Sequence, residues 1–413
     1  MADTYDALET RSDDERAAEL AAKLPKQIAH AKSSTGYFAK SLSDVDPAAV
    51  TSREALAKLP VIRKSDLLSL QEQEPPFGGL VATDLSKLVR VFMSPGPIYE
   101  PQGEGDDPFR FARALYASGF RPGDLVHNTF SYHLTPGGWL VDGAVRAFGC
   151  AIFPAGVGNT ELQVRAISDL KPQGYVGTPS FLRIILDKAK EMGVALPSLT
   201  KGLVSGEALP PSLRTELKEK GVSVLQCYAT ADVGLISYES DAMEGMIVDE
   251  GVVVEIVRPG TGEPVPEGEV GEVVVTTFSH DYPLVRFGTG DMSAVMSGVS
   301  PCGRTNMRIK GWMGRADQTT KIKGMFVHPS QVADIVKRHD EISKARLEVT
   351  GESGRDSMTL VVEVDGGQGG DGLADALRGS LSTVTKLKGD VRFVATGELP
   401  NDGKVIDDQR SYE

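Results

Sequence analysis

The sequence predicts an α/β protein. It reads as a large N-terminal domain of mainly parallel sheets flanked by helices, with a small antiparallel β subdomain, followed by a small α+β C-terminal domain. Two observations predict this class. From Leu88 to about residue 235, short apolar runs alternate with amphipathic stretches, the rhythm of βαβ units in a parallel sheet with function at the loops after the strands. After residue 245 the rhythm changes to β-rich segments separated by Pro-Gly and Glu-Gly turns, as in a small antiparallel sheet or barrel. The expected boundaries are 1–316 for the first domain, with the β-rich part at about 246–310, and 317–413 for the second. A chain of 413 residues exceeds one ordinary core, which fits such a division.

The elements follow in order. Residues 13 to 32 set Ala18, Leu20, Ala21, Leu24, Ile28 and Ala31 at helical spacing behind Asp13, Asp14 and Glu15, with Pro25 as a place for a kink or a division. A second helix is expected around Ser52 to Ala57. The alternating region then gives strands at Leu88–Phe92, Leu125–Phe130, Ala151–Pro154, Tyr175–Gly177, Gly202–Ser205 and Ser223–Tyr228. Helices are expected between the earlier ones at Phe109–Ser118, Gly138–Phe148 and Glu161–Leu170. The β-rich segments are Val252–Val257, Gly271–Thr277 and Ser293–Met296. Beyond Asp317 come a strand, a helix from Ser330 to Arg338, two strands, the loop Gly366–Gly370, a helix and a last strand at Val391–Val394. The Gly366–Gly370 loop reads as a surface turn, because no Lys-Ser/Thr follows it and it is not placed as a dinucleotide fingerprint.

Composition narrows the class of function. A formal charge of −13 argues against nucleic-acid or anionic-membrane partners, which require a basic face. The three cysteines, Cys150, Cys227 and Cys302, are far apart and lack metal-ligand spacing, so reduced thiols and no structural zinc are expected. The acidic start and the absence of any apolar run of roughly 18 residues predict a soluble, cytoplasmic protein without a membrane span.

Four loops could carry chemistry, each after an expected strand. They are Met93–Pro101, Ser205–Pro210, Tyr228–Gly234 and Arg286–Asp291. Taken singly each reads as an ordinary turn, strand end or cap. Further on, Gly314-Arg315-Ala316-Asp317 precedes Lys323-Gly324-Met325-Phe326-Val327-His328-Pro329-Ser330-Gln331, and a lone lysine ends Leu399-Pro400-Asn401-Asp402-Gly403-Lys404.

In this order, the fragments resemble the phenylacetate-CoA ligase family of adenylate-forming (AMP-forming) ligases. Tyr5–Arg11, Leu59–Leu67 and Pro75–Leu80 are similar to its N-terminal region, and Gly158–Glu161 with Gly177–Ser180 to its nucleotide-domain loops. The resemblance covers most of the chain. It implies ATP-dependent activation of an aromatic acid of the phenylacetate, benzoate or indoleacetate type as an acyl-adenylate, followed by transfer to coenzyme A. It also implies Mg2+, a homodimer, a place in aromatic acid catabolism and a mobile C-terminal lid.

Carried over residue by residue, the resemblance gives Lys404 and Thr230 catalytic roles at the phosphate. Ser94, Gly96, Ser205, Gly206, Glu207, Ala208, Tyr228, Ala229 and Thr230 would bind the nucleotide, and Asp291 and Arg315 would hold its ribose. Asp232 would bind the metal. Tyr132, Gly138, Asn159 and Ala229 would contact the acid, Lys323 and Gly324 would border the pantetheine tunnel, and Asp317 would be the hinge. His133 is not needed as a base, because the acid is already ionised.

Two departures stand out. The loop Ser94-Pro95-Gly96-Pro97-Ile98-Tyr99-Glu100 lacks the family's lysine, has two residues without N–H, and adds an acid beside a polyphosphate. In Tyr228-Ala229-Thr230-Ala231-Asp232 an Asp stands where the family has Glu. Two alternatives stay open: delivery of the acyl group to a carrier protein, and a non-catalytic paralogue that binds a nucleotide or acyl ligand.

Overall fold

The computed structural model describes residues 3–94, 97–318, 320–322, 325–351, 356–400 and 404–410. The chain divides into two compact units, Met1–Thr289 with Ser293–Trp312, and Gly290–Met292 with Met313–Glu413.

The first unit opens with α1 (Asp13–Ser34), α2 (Gly36–Ser41), α3 (Arg53–Leu56), β1 (Ile62–Arg63) and α4 (Leu67–Gln73). Helix α1 begins with a capping box between Ser12 and Glu15 and continues as one helix across Pro25. An interior proline costs roughly 3 kcal/mol. Leu24 and Ile28, both 0% exposed, each contribute about 1.5–3 kcal/mol by burial, so packing outweighs the lost hydrogen bond and the helix is not divided.

Next come β2 (Arg90–Ser94), β3 (Ile98–Gln102), α5 (Ala112–Ala117), β4 (Leu125–Asn128), α6 (Gly137–Ala147), β5 (Ala151–Pro154) and α7 (Thr160–Leu170). They are followed by β6 (Gly174–Gly177), α8 (Pro179–Glu191), β7 (Lys201–Val204), α9 (Pro211–Glu219) and β8 (Ser223–Thr230). The strands β5-β4-β6-β7-β8 lie side by side and parallel, as the alternating pattern predicts. The strand expected at Leu88–Phe92 is different. As β2 it pairs antiparallel with β3 in a separate hairpin, Ser94 opposite Ile98, because so short a connection cannot make a parallel crossover.

The β-rich region supplies β9 (Gly234–Tyr238), β10 (Met246–Val248), β11 (Val252–Val257), β12 (Gly271–Thr277), β13 (Phe287–Ser293), β14 (Val295–Met296) and β15 (Arg308–Ile309). It serves two sheets. β9, β10, β15 and β14 extend the parallel sheet antiparallel beyond β8, whereas β1, β13, β12 and β11 form a second sheet in which β1 runs parallel to β13.

The N-terminus of this unit is fastened by buried charge. Glu9, 1% exposed, accepts from the Tyr238 hydroxyl at 2.7 Å and from Arg304 Nε at 3.1 Å. Arg113 pairs with Asp6 at 2.8 Å, and Glu250 accepts from Arg11 and Arg16 at 2.7 and 2.9 Å. A buried carboxylate is tolerated only with such partners.

The second unit holds the hairpin β16 (Thr320–Ile322) and β17 (Met325–Val327), α10 (Pro329–Val336), β18 (Lys344–Thr350), β19 (Ser357–Val364), α11 (Asp371–Thr385), β20 (Asp390–Ala395) and β21 (Ile406–Asp408). The order β20-β19-β18-β21 packs Leu347, Leu360 and Val362 against Leu377 and Leu381. Cys150, Cys227 and Cys302 are free thiols. Among the described residues no helix is long and apolar enough to cross a membrane.

Candidate active site

The loops that leave the carboxyl ends of β6, β7 and β8 are tied to one another. Ser205 N–H donates to the Gly177 carbonyl at 3.1 Å, and its hydroxyl donates to the Cys227 carbonyl at 2.8 Å. Glu207 reaches the first turn of α8, where Oε1 accepts from Ser180 N–H at 2.6 Å. A carboxylate is favourable there because the first helical N–H groups have no partner within the helix. Gly206, Glu207 and Ala208 are exposed, and Ala229 and Thr230 are half-buried. Tyr228 lies in the core, its hydroxyl donating to Thr289 Oγ1 at 3.1 Å. Thr230 Oγ1 accepts from Val233 N–H at 3.2 Å and closes the turn that delivers Asp232.

Asp232 belongs to a cluster that no single loop announces. Its Oδ2 accepts from Lys64 Nζ at 2.7 Å, and Lys64 comes from the turn Lys64–Asp66 between β1 and α4. Glu100, on β3 and 1% exposed, accepts from Ser94 N–H at 3.1 Å and from the Ser94 hydroxyl. Burial first, and then the negative charge of Asp232, push the Glu100 carboxyl up from 4.5 to about 7, against the pull of Ser94 and Lys64. Tyr282 is buried beside both acids, which together with burial raise its hydroxyl well above the ordinary range. Ser94, expected to hold phosphate, thus spends its donors on Glu100. Gly96 lies outside the described residues.

These groups fit a divalent cation. Asp232 Oδ1 is buried and has no hydrogen-bond partner among the described residues, and two carboxylates share one ammonium. Mg2+ takes one or two carboxylates and completes its shell with phosphates and water.

The raised carboxyl of Glu100 has a testable consequence. The folded state holds this proton more tightly than the unfolded chain, so the associated stabilisation is complete below pH 4.5 and is lost as pH rises to about 7. Glu100→Gln, which keeps an acceptor for Ser94 but does not titrate, should remove this loss, on the order of 3 kcal/mol at most. Melting temperatures of both proteins at pH 5 and pH 8 check it, and parallel profiles would reject it.

On the expected acyl side, Tyr132 OH accepts from Asn128 Nδ2 at 2.8 Å and faces Asp142 Oδ1 at 3.4 Å. Burial and then Asp142 raise its pKa. Gly138 is required by this ring, since a Cβ there would lie 2.8 Å from Tyr132 Cδ2. His133 is exposed, and Trp139 packs edge-on to Tyr132 with centroids 5.1 Å apart. Asn159 is exposed with φ 50° at the start of α7. Its loop is held by Gln163, whose Nε2 donates to the carbonyls of Gly156 and Gly158 at 2.9 and 2.7 Å, while Oε1 meets buried His127 at 2.9 Å.

In the second unit, Asp291 and Arg315 form an isolated antiparallel bridge, and Arg315 Nη1 lies 3.3 Å from Asp291 Oδ1. Gly290, at φ 76°, leaves room for the guanidinium, which a Cβ would meet at 2.8 Å. Asp317 sits in the 3₁₀ turn Ala316–Gln318, and its side chain lies outside the described set, as do Lys323 and Gly324. Lys404 is exposed and pairs with Asp407 at 3.2 Å.

The family described as AMP-binding enzyme matches residues 131–279. The phenylacetate-coenzyme A ligase of Thermus thermophilus is 30% identical over 83% of this chain and 80% of its own length. The Escherichia coli protein of the same name is 27% identical over 97% and 95%. A solved 2-hydroxyisobutyryl-CoA ligase, in an open conformation with its acyl-adenylate and coenzyme A, shares the fold with a TM-score of 0.84 at 24% identity, over 97% of this chain and 93% of that one.

Proposed function

This chain belongs to the phenylacetate-coenzyme A ligase family, and we propose that within it the protein activates an aromatic carboxylic acid with ATP and passes the acyl group to coenzyme A. It is an AMP-forming acid–CoA ligase. In the first half-reaction a carboxylate oxygen forms a bond to the α-phosphorus of ATP as the bond to pyrophosphate breaks. In the second, the thiol sulfur attacks the adenylate carbonyl, AMP leaves, and the thiol proton is released.

The observation that best supports this reading is the Lys64–Asp232 pair beside Glu100. The loop at 94–101 lacks a lysine, and Lys64 brings an ammonium into the same buried cluster from another part of the chain. Preorganised positive charge at a phosphate lowers the barrier because it need not reorganise as charge develops. Asp232, with Glu100 next to it, would hold Mg2+, which when bound neutralises phosphate charge. Thr230 and the Ser205–Ala208 loop would bind the nucleotide, Asp291 and Arg315 its ribose, and Tyr132, Gly138 and Asn159 would shape the acyl pocket. The aromatic preference rests on the relatives' names and on the aromatic wall of Tyr132 and Trp139.

ATP–pyrophosphate exchange across benzoate, phenylacetate, indoleacetate and fatty acids tests activity and substrate class together. Exchange with an aryl or arylacetic acid and AMP as the nucleotide product are expected. ADP as the product would defeat the ligase reading, and preference for a fatty acid would defeat the aromatic one.

A further inference from the structure

In the second unit, the turn that carries the hinge position is fastened directly to the segment that carries Lys404. Gln318 closes the turn Ala316–Gln318, and its Oε1 accepts from Val405 N–H at 2.7 Å. On its other side, Val405 offers its carbonyl to Leu347 N–H of β18 at 2.9 Å. The residue after Lys404 is therefore held through both of its backbone groups, one of them by the side chain next to Asp317. Two residues beyond Gln318, Thr320 donates its hydroxyl to Asp408 and accepts from Arg410 Nη2 at 2.8 Å. Arg410 is in turn anchored to Asp356 at 2.9 Å.

We propose that Gln318 is a positioning residue for the adenylation half-reaction, coupling the hinge turn to Lys404 so that any rotation of the hinge carries the lysine with it. The inference rests on the reading that Lys404 acts at the phosphate. A side chain with several rotatable bonds is useful only if its root is fixed, because a displacement of about 1 Å can cost on the order of 10²-fold in rate. Leu347 holds that root from the β18 side, and the Gln318 amide oxygen holds it from the hinge side, so the coupling to the turn depends on the reach of that side chain. Its loss should affect the step that uses the lysine and leave the other step untouched.

The test uses the full-length protein and three Gln318 variants, with Lys404→Ala alongside. Gln318→Glu keeps an acceptor at the same reach, Gln318→Asn withdraws it by one methylene, and Gln318→Leu removes it. Gln318→Leu and Gln318→Asn should each lower ATP–pyrophosphate exchange roughly 10-fold, as expected for loss of one ordering hydrogen bond. Thioester formation from a presynthesised acyl-adenylate should stay within about 2-fold of wild type, and Gln318→Glu should restore exchange. If Gln318→Leu does not fold, Gln318→Asn carries the test alone. Should Lys404→Ala leave exchange intact, the reading of Lys404 itself falls. If instead Lys404→Ala abolishes exchange while the Gln318 variants match wild type, or slow both half-reactions equally, the coupling is refuted.

Discussion

Replacing Lys404 by alanine should nearly abolish ATP–pyrophosphate exchange, by roughly 10²–10³ in rate, while a presynthesised acyl-adenylate is still transferred to coenzyme A. That magnitude is the one observed when a single preorganised donor is removed from a developing charge. The selectivity follows from chemistry. Adenylation builds charge at phosphorus, whereas thioester formation expels AMP from a carbon centre and does not need the same cation. The variant should also fold normally. Lys404 is exposed, and its described ion pair is the contact with Asp407 at 3.2 Å, an exposed pair of a type worth about 0–1 kcal/mol. Rates for the two half-reactions measured separately decide the matter, and equal slowing of both would make Lys404 a structural residue.

The second large effect is expected at Asp232. Asp232→Asn removes one of the two acids around Lys64, and exchange should fall by about 10² or more, with a higher magnesium concentration needed for half-maximal rate. Breaking a buried ion pair ordinarily costs about 3–5 kcal/mol, because an uncompensated charge is left behind. Here the cost should be smaller. Glu100 already interacts with Lys64 and can serve as its counterion, so the variant should remain folded. Because the charge of Asp232 helps to hold Glu100 at about 7, the same substitution should also lower the pH at which Glu100 ionises. An unchanged magnesium dependence would eliminate Asp232 as the metal ligand.

Much of the α/β class is legible in the sequence because it depends on short-range periodicity. The alternation between residues 125 and 230 appears as β4 to β8 with their helices, and the ends of β7 and β8 carry two of the four loops that the sequence singles out, Ser205–Pro210 and Tyr228–Gly234, whereas Met93–Pro101 spans β2 and β3 and Arg286–Asp291 lies largely within β13. One strand departs from the expected pattern for a physical reason, and one expected helix persists across a residue that could have divided it. Leu88–Phe92 has the composition of a sheet strand, but β3 follows β2 within a few residues and pairs with it antiparallel, so the two form a hairpin. Pro25 is a helix breaker by itself, yet buried Leu24 and Ile28 hold α1 across it. The charged cluster was the least legible part. Lys64 reads as one more basic residue in a polar stretch, and Tyr282 as an aromatic after a β-rich run. Only the folded chain brings the turn after β1, the turn after β8 and the β12–β13 connection to Glu100 on β3, and no local pattern encodes a sequence separation of 168 residues between Lys64 and Asp232. Glu100 was visible as an oddity in its loop, but its bond to Ser94 was not.

The fastening of the N-terminus also bears on synthesis. Glu9 and Arg304 are 295 residues apart in sequence, and a ribosome adding about 5–20 residues per second needs roughly 15–60 s to cover that distance. For that interval the nascent chain carries an acid that has Arg113 at 3.5 Å as a partner but lacks Arg304, together with the apolar stripe of α1, which shares one core cluster with Val252 and Val273. The first helix to emerge is therefore secured only when distant strands have followed it. A chain stalled before residue 252 would lack the β11 and β12 members of the cluster that buries that stripe, so translation arrest there should yield aggregation-prone fragments, whereas release of the full chain should not.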